Sequence, residues 1–163
     1  MIFFGIDPGT AVTGYGVIKS VNNSVTWLDS GVINTRPDSP LAERLELIYS
    51  SLKKKMGEFS PDRVSIEEAF YGKNIHTTLV LGHARGAAML AAVKSGAMVS
   101  EYSPREVKKA VSGNGNASKD QVKYMVRMIL SVPESNMKTD AFDALGLALC
   151  DFYHTGPSVR INR

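Results

Sequence analysis

The amino-acid sequence predicts an α/β fold in which helices flank a mixed five-stranded sheet. Three strand-like runs, rich in β-branched and aromatic residues, open the chain and are separated only by short turns. Two further strand-like runs then alternate with helical patterns, which is the order of parallel crossover units. The chain has 163 residues, a length that favours one domain with a sizeable core. An antiparallel start followed by crossovers indicates a mixed sheet with helices on both faces.

The first part of the chain supplies three antiparallel strands and a helix. The predicted strands cover residues 2–7, 14–20 and 25–35. Asn22 and Asn23 lie between the last two strands and are typical turn residues. Ser39 and Pro40 predict a helix start, with Ser39 as the N-cap and Pro40 in the first turn. Apolar side chains then recur at helical spacing, at Leu41, Leu45, Ile48 and Leu52.

The rest of the chain alternates strands with helices. The predicted elements are a strand at 64–67, a helix at 77–94, a strand at 97–102, a short helix from 104, a helix capped by Ser118 and ending at Leu130, and a last helix from 140 to about 153. This order of elements matches a ribonuclease H-like fold. We expect residues 1–154 to form a single ribonuclease H-like domain and residues 155–163 to be a frayed tail.

Acidic residues stand at the ends of three distant segments. Asp7 ends the first strand, and either Glu67 or Glu68 ends the fourth, since spacing alone does not decide which points inward. Asp140 and Asp143 share one face of the first turn of the last helix. If these carboxylates converge, they repel one another unless cations bind between them. Hard oxygen ligands in this number suit Mg²⁺, or Mn²⁺ in its place, so the acids predict a candidate metal site.

Each acid also has a purely structural explanation. An Asp before Pro-Gly is a common turn former, and an Asp near a helix N-terminus is favoured by the helix dipole. The opening stretch "GIDPGTAVTGYG" could instead hold a phosphate, but phosphate loops usually lead into a helix, and here a returning strand follows. A sugar-kinase or actin-like ATPase also begins with an Asp-x-Gly hairpin. Such enzymes close two lobes around the nucleotide, and 163 residues are too few for both.

Composition restricts the class of protein. The chain is 44% hydrophobic and 21% charged, which is typical of a globular protein, and no apolar stretch approaches the roughly 20 residues of a membrane span. The net charge of +3 is compatible with a polyanionic partner. The single cysteine, Cys150, excludes an internal disulfide and fits a reducing compartment, so we expect a cytoplasmic protein.

Five sequence blocks, in order and at the right spacing, resemble the RuvC family of bacterial Holliday-junction resolvases. They are "GIDPGTAVTGYGVI", "IEEAFYGKN", "LGHARGAAMLAA", "EYSPREVKKAVSGNGNASKDQV" and "DAFDALGLAL". The resemblance runs from the first residues to about Cys150. It implies a homodimeric, Mg²⁺-dependent endonuclease that nicks two opposed strands of a four-way DNA junction. It also implies cooperation with a branch-migration motor complex.

The resemblance assigns roles to individual acids. Matched position by position, the four family acids fall on Asp7, Glu67, Asp140 and Asp143, which selects Glu67 over Glu68. We expect them to hold two Mg²⁺ ions per active site, with Asp7 bridging the ions. The resemblance also assigns lysines to Lys108 and Lys119. As a hypothesis, Lys119 approaches the scissile phosphate and offsets the charge that develops there.

Basic and aromatic residues near these acids are candidate DNA contacts. They are Phe70, Tyr71, Lys73, Arg85, Lys108, Lys109, Lys123 and Arg127. Lys119, Lys123 and Arg127 recur at i, i+4 and i+8, which is either a solvated helix face or a track for phosphates. Phe70 and Tyr71 either cap the sheet as core aromatics or stack on an unpaired base of an opened junction.

Two other functions remain open from the residues alone. A ribonuclease H-fold enzyme that acts on RNA would share the acids, and a junction-binding module that does not cut would share the basic surface. The most informative experiment compares cleavage of a four-way DNA junction with that of a duplex, in Mg²⁺ and again with a chelator.

Overall fold

The computed structural model describes residues 1–68, 75–133 and 137–155. These ranges contain five strands and five helices. In chain order they are β1 (Ile2–Asp7), β2 (Val12–Val21), β3 (Ser24–Asn34), α1 (Leu41–Phe59), β4 (Arg63–Glu67), α2 (Ile75–Lys94), β5 (Met98–Tyr102), α3 (Pro104–Ser112), α4 (Lys119–Leu130) and α5 (Thr139–Thr155). The predicted order of elements is confirmed, with boundaries shifted by one or two residues.

The five strands form one mixed sheet in the order β3-β2-β1-β4-β5. β1 pairs antiparallel with β2, which pairs antiparallel with β3. On its other side β1 pairs in parallel with β4, which pairs in parallel with β5. The predicted fold class is therefore confirmed, and β1 occupies the centre of the sheet.

Helices cover both faces of the sheet and create two apolar cores. On one face, α3, α4 and α5 pack around Phe3 and Leu145. On the other face, α1 and α2 pack around Phe4 and Ile6. Side chains alternate between the two faces along a strand, so consecutive β1 residues serve different cores. Burial of each such large apolar side chain contributes roughly 1.5–3 kcal/mol relative to exposure.

The starts of the helices show which caps the sequence specifies. α3 and α4 each begin with a capping box, Ser103 with Glu106 and Ser118 with Gln121, and the predicted cap at Ser118 is confirmed. The predicted cap of α1 is wrong. Pro40 is the N-cap in an extended conformation without a side-chain cap, and its carbonyl accepts the first amide hydrogen bonds of the helix. The helix therefore begins at Leu41.

A buried ion pair fastens α5 to the start of β4. Arg63 donates from Nε to Oδ2 of Asp151 at 3.0 Å and from Nη2 to Oδ1 at 2.9 Å. The Tyr102 hydroxyl donates to the same carboxylate at 2.8 Å. Burial and the Asp151 carboxylate both raise the pKa of Tyr102. These bonds set how α5 lies across the sheet.

The C-terminal end of α5 extends slightly past its predicted limit. Thr155, which was assigned to the tail, is the last helical residue, and its hydroxyl donates to the Asp151 carbonyl at 2.6 Å. Residues 156–163 lie outside the described ranges. Among the described helices, none combines the length and the apolar character needed to cross a bilayer.

Candidate active site

Asp7 and Glu67 lie side by side because β1 and β4 run parallel at the centre of the sheet. Ile6 pairs with Ile66, so the next residue of each strand is an acid at the same edge. Both side chains are half-buried, whereas Glu68 is exposed. Glu67, not Glu68, is therefore the inward-facing acid of the pair.

Asp140 and Asp143 reach the same place because α5 lies unusually close to the sheet. Gly5 pairs with Gly16 across β1 and β2, and Asp7 pairs with Gly14. An added Cβ at Gly5 would overlap a backbone carbonyl of α5, and one at Gly14 would overlap the Asp140 carbonyl. The three glycines form a floor without side chains, which lets the first turn of α5 approach the end of β1.

Burial and mutual repulsion raise the pKa of two of the acids, Asp7 and Glu67. Burial raises the pKa of Asp7 to about 8, and the carboxylates of Glu67, Asp143 and Asp140 raise it in turn. Burial, followed by the charge of Asp143, also raises the pKa of Glu67, although a hydrogen bond from Asp7 opposes the rise. Burial and the neighbouring carboxylates thus favour the protonated form of Asp7, which hydrogen-bonds to Glu67. The four acids predicted from sequence share one electrostatic environment.

Lys119 is the cation of this cluster. It is the first residue of α4, directly after the capping serine, and its Nζ lies 3.4 Å from Oδ2 of Asp143. The charge of Asp143, more than those of Asp7 and Glu67, raises the pKa of Lys119. The side chain is 76% exposed. An ammonium held at one end by a carboxylate and open to solvent at the other can meet an incoming anion.

Comparisons with known proteins agree with this geometry. The family described as "Crossover junction endodeoxyribonuclease RuvC" matches residues 3–151. The chain belongs to the RuvC family. Proteins of that description from Pelotomaculum thermopropionicum and Syntrophotalea carbinolica are 44% and 48% identical over 94% and 92% of this chain, and over 94% and 92% of their own lengths.

A solved structure of a family member resembles the whole fold. The structure of Thermus thermophilus RuvC in complex with a Holliday junction substrate superposes with a TM-score of 0.88 and 34% sequence identity. The match covers 94% of each chain. The close agreement extends over the sheet and helices that carry the acids, so the RuvC family shares this architecture.

The donor set of the site suits a divalent cation. Four carboxylates supply hard oxygen ligands, and their mutual repulsion gives a cation a favourable place to bind. Within residues 1–68, 75–133 and 137–155, however, no three acidic, histidine or cysteine side chains are drawn together tightly enough to hold a metal ion. Asp7 instead hydrogen-bonds to Glu67, and Asp143 pairs with the ammonium of Lys119.

A pocket opens beside the acids between α3, α4 and α5. Its polar part consists of Glu67, Lys108, Lys119 and Asp143. Its apolar wall consists of Pro104, Val107, Val122 and Leu147. Lys108 thus faces the same space as Lys119. The pocket therefore combines charged and aliphatic side chains.

The other predicted DNA contacts lie in different surroundings. Lys109 is exposed and lines separate grooves with Glu106. Lys123 and Arg127 are half-buried, and the Lys123 ammonium lies 5.0 Å from the centroid of the Phe142 ring. That helix face is therefore packed against α5 over part of its surface. The predictions for Phe70, Tyr71 and Lys73 fall outside the described residues.

Sequence reasoning missed the glycine floor and the surroundings of Arg85. Gly5 and Asp7 lie on the same face of β1, and Gly14 and Gly16 share one face of β2. Glycines at every second strand position are a sequence signal that another element approaches the sheet closely. The expected DNA contact Arg85 donates from Nε to the main-chain oxygen of Glu67 at 3.1 Å. No local pattern in α2 indicates that bond.

Proposed function

We propose that this chain is a metal-dependent endodeoxyribonuclease that resolves four-way DNA junctions by nicking two opposed strands. The observation that carries the proposal is the cluster of four acids at one edge of the sheet, in a chain of the RuvC family. The junction in the Thermus thermophilus complex supports the same substrate for this chain. A branch-migration motor complex as a further partner, and a cytoplasmic location, stay predictions from the sequence.

We assign the cation site to Asp7, Glu67, Asp140 and Asp143, with two Mg²⁺ ions per site and Mn²⁺ as a substitute. Bound there, such ions supply Lewis-acid activation and neutralise charge on the phosphate. Asp7 occupies the centre of the set, because the charges of Glu67, Asp140 and Asp143 all act on it. This central place supports the expectation that Asp7 bridges the ions.

The chain's own groups bind and orient the phosphodiester. Lys119 and Lys108 line the pocket together with Glu67, so they can hold phosphate oxygens beside the acids. The aliphatic wall formed by Pro104, Val107 and other residues gives the deoxyribose an apolar surface and limits the access of water from that side. Phe70, Tyr71 and Lys73 follow β4 directly in the chain, and we propose that they contact the junction next to the scissile step.

Lys119→Ala should slow cleavage more than it weakens binding. Removal of one preorganised charge that faces the reacting phosphate typically costs about 10²–10³ in rate. Loss of one phosphate contact weakens binding by a much smaller factor. Single-turnover cleavage at saturating junction, with junction affinity measured in chelator, separates the two effects.

Lys123→Ala is the matched control for Lys119→Ala, since it removes the same charge one turn along α4. Its ammonium lies over Phe142 instead of beside Asp143. The control should retain most of the cleavage rate. Equal losses in rate for the two variants would contradict a specific role for Lys119.

An exposed apolar face on α2 supports the proposed homodimer. Its large side chains are Ile75, Leu79, Leu90 and Val93, all of them largely exposed. Between them, Gly82 and Gly86 leave open space where a Cβ would point. Apolar side chains around a flat strip of glycine allow a second helix to approach closely. A two-fold pair of chains would present two equivalent sites to the two strands that must be cut.

Leu90→Glu should convert the dimer to a monomer. A charge within an apolar helix interface is strongly unfavourable, and Leu90 is not one of the four acids. Sedimentation at micromolar concentration measures the change. The monomer should nick junctions singly instead of in pairs, which a cruciform plasmid assay detects.

Met128→Glu provides the control for Leu90→Glu, because Met128 is also an exposed apolar residue but lies on α4. It should leave the sedimentation coefficient unchanged. A dimer that survives Leu90→Glu would exclude this face of α2 as the interface.

The decisive experiment compares substrates under one set of conditions. A four-way DNA junction, a plain duplex and an RNA–DNA hybrid are incubated with the protein in Mg²⁺ and in chelator. We expect paired nicks in the junction alone, and only with Mg²⁺. Cleavage of the hybrid would favour a ribonuclease, and binding without cleavage would favour a junction-binding module.

A further inference from the structure

Arg85 connects three elements beneath the acid cluster. It belongs to α2, and its Nε donates to the main-chain oxygen of Glu67, the last residue of β4, at 3.1 Å. Its Nη2 forms an ion pair with Oε2 of Glu101 on β5. The Arg85 side chain is only 18% exposed. A partly buried guanidinium thus joins a neighbouring strand to the main chain of a proposed metal ligand.

With the bond from Arg85, both polar atoms of one peptide group are hydrogen-bonded. The peptide unit that joins Glu67 to Glu68 has one carbonyl and one amide. Arg85 donates to the carbonyl, and the amide donates to the Tyr102 carbonyl at 2.9 Å. Both polar atoms of this unit are therefore held, from opposite sides, where the chain leaves the sheet.

We propose that Arg85 is a positioning residue for the reaction, which holds the main chain at Glu67 so that its carboxylate faces Asp7 and Asp143. The inference rests on the proposed function, since it assumes that Glu67 binds a metal ion. Arginine suits the task because its planar fork can donate in two fixed directions at once. Glu101 orients the guanidinium by pairing with its Nη2.

The surroundings of Arg85 favour this role over the phosphate contact that the sequence predicted. Its charge is already paired with Glu101, and the side chain is mostly buried, so it attracts a DNA phosphate less than an exposed, unpaired cation would. Lys119, by contrast, is largely exposed and opens to the pocket. Outer contacts that orient a metal ligand commonly change metal affinity or activity by about 10- to 100-fold when they are removed.

The test separates metal binding from DNA binding. Arg85→Ala and Arg85→Lys are compared with Lys94→Ala, which removes one charge from the exposed end of the same helix. Three quantities are measured: junction affinity in chelator, the Mg²⁺ concentration that gives half-maximal single-turnover cleavage, and the rise in Tm that Mg²⁺ causes without DNA. Glu101→Gln, which keeps an acceptor for Arg85, serves if Arg85→Ala does not fold.

We expect Arg85→Ala to raise the half-maximal Mg²⁺ concentration about tenfold and to reduce the Mg²⁺-induced rise in Tm. Junction affinity in chelator should match that of Lys94→Ala. Arg85→Lys, which can make one of the two bonds but not both, should be intermediate, and Glu101→Gln should shift the Mg²⁺ requirement in the same direction by less.

Other outcomes would overturn the inference. Weaker junction binding with an unchanged Mg²⁺ requirement, restored by Arg85→Lys, would make Arg85 a DNA contact. A lower Tm with an unchanged Mg²⁺ requirement would leave it a stabilising residue only. Glu67→Gln tests the underlying proposal separately. A normal Mg²⁺ response in that variant would show that Glu67 is not a metal ligand. If the Mg²⁺ response is lost in Glu67→Gln but normal in Arg85→Ala, the metal site stands and only the role of Arg85 is refuted.

Discussion

Asp7→Asn should abolish junction cleavage and, in the absence of divalent metal, should make the protein more stable at pH 8. Loss of a residue at the centre of a catalytic set costs about a thousandfold or more in rate. Asn has nearly the shape of Asp, so the sheet and the glycine floor are kept and junction binding in chelator should change little. The gain in stability arises because Asn removes a buried carboxylate that other carboxylates repel.

The pH dependence of that gain has a definite sign. The folded state raises the pKa of Asp7 from 3.8 to about 8, so between these values the folded protein holds a proton that the unfolded chain has lost. The stability of the folded protein therefore falls as pH rises from about 4 to about 8. Above that window Asp7 causes no further loss of stability. Asn does not titrate, so the advantage of the variant should grow from pH 4 to pH 8. The variant should therefore melt at least about 5 °C above the native protein at pH 8 in chelator.

Thermal melts of both proteins at pH 5 and pH 8, with chelator and with Mg²⁺, measure the effect. Mg²⁺ should stabilise the native protein more than the variant and so reduce or reverse the difference. Asp38→Asn is the control, because Asp38 is exposed and pairs with Arg36 near the start of α1, away from the acid cluster. Undiminished cleavage by Asp7→Asn, or a variant less stable than the native protein at pH 8 in chelator, would contradict the electrostatic account.

Local sequence signals predicted the framework of the fold well. Ser103 and Ser118 each indicate a helix start, because all the residues of a capping box lie within four consecutive positions of the sequence. The apolar run before Asp7 predicts a strand that ends at this residue, as the structure has it. At Pro40 the local signal misled, since a serine before a proline is only one of several ways to begin a helix.

Contacts between distant segments were much harder to predict. Residues alone left Glu67 and Glu68 equivalent, and family resemblance decided between them before the structure showed Glu68 exposed. The bond from Arg85 to the Glu67 carbonyl spans 18 residues and involves a main-chain acceptor, which carries no side-chain signature. The proximity of α5 to β1 depends on Gly5, whose spacing suggests a close approach but not the partner. Tertiary packing, not local propensity, builds the site.

The ion pair between Arg63 and Asp151 is the clearest example of such a distant contact, since 88 residues separate its members. Asp151 lies on α5 beyond the segment that carries Asp140 and Asp143, and it is wholly buried. Arg63 is the first residue of the strand that ends at Glu67. The pair therefore joins the two elements that supply three of the four acids, at the end remote from the site.

Asp151→Ala should be among the most destabilising single substitutions in this protein. It leaves the Arg63 guanidinium, 10% exposed, without its counter-charge and removes the acceptor of the Tyr102 hydroxyl. Loss of one partner of a buried pair costs about 3–5 kcal/mol. For a chain of this size that is a fall in Tm of about 10 °C or more. Urea denaturation gives the free energy of unfolding directly.

Two comparisons show whether burial is the cause. The exposed pair of Arg36 and Asp38 has almost the same N–O distance, 2.8 Å against 2.9 Å, but its side chains are 81% and 69% exposed. Asp38→Ala should therefore cost far less than Asp151→Ala, because water screens the exposed pair. Joint replacement of the buried pair by Met and Leu should recover most of the stability that Asp151→Ala loses, since it leaves no charge unpaired. If the double variant is as unstable as Asp151→Ala, the loss comes from the hydrogen bonds of Tyr102 and from packing, and not from a stranded charge.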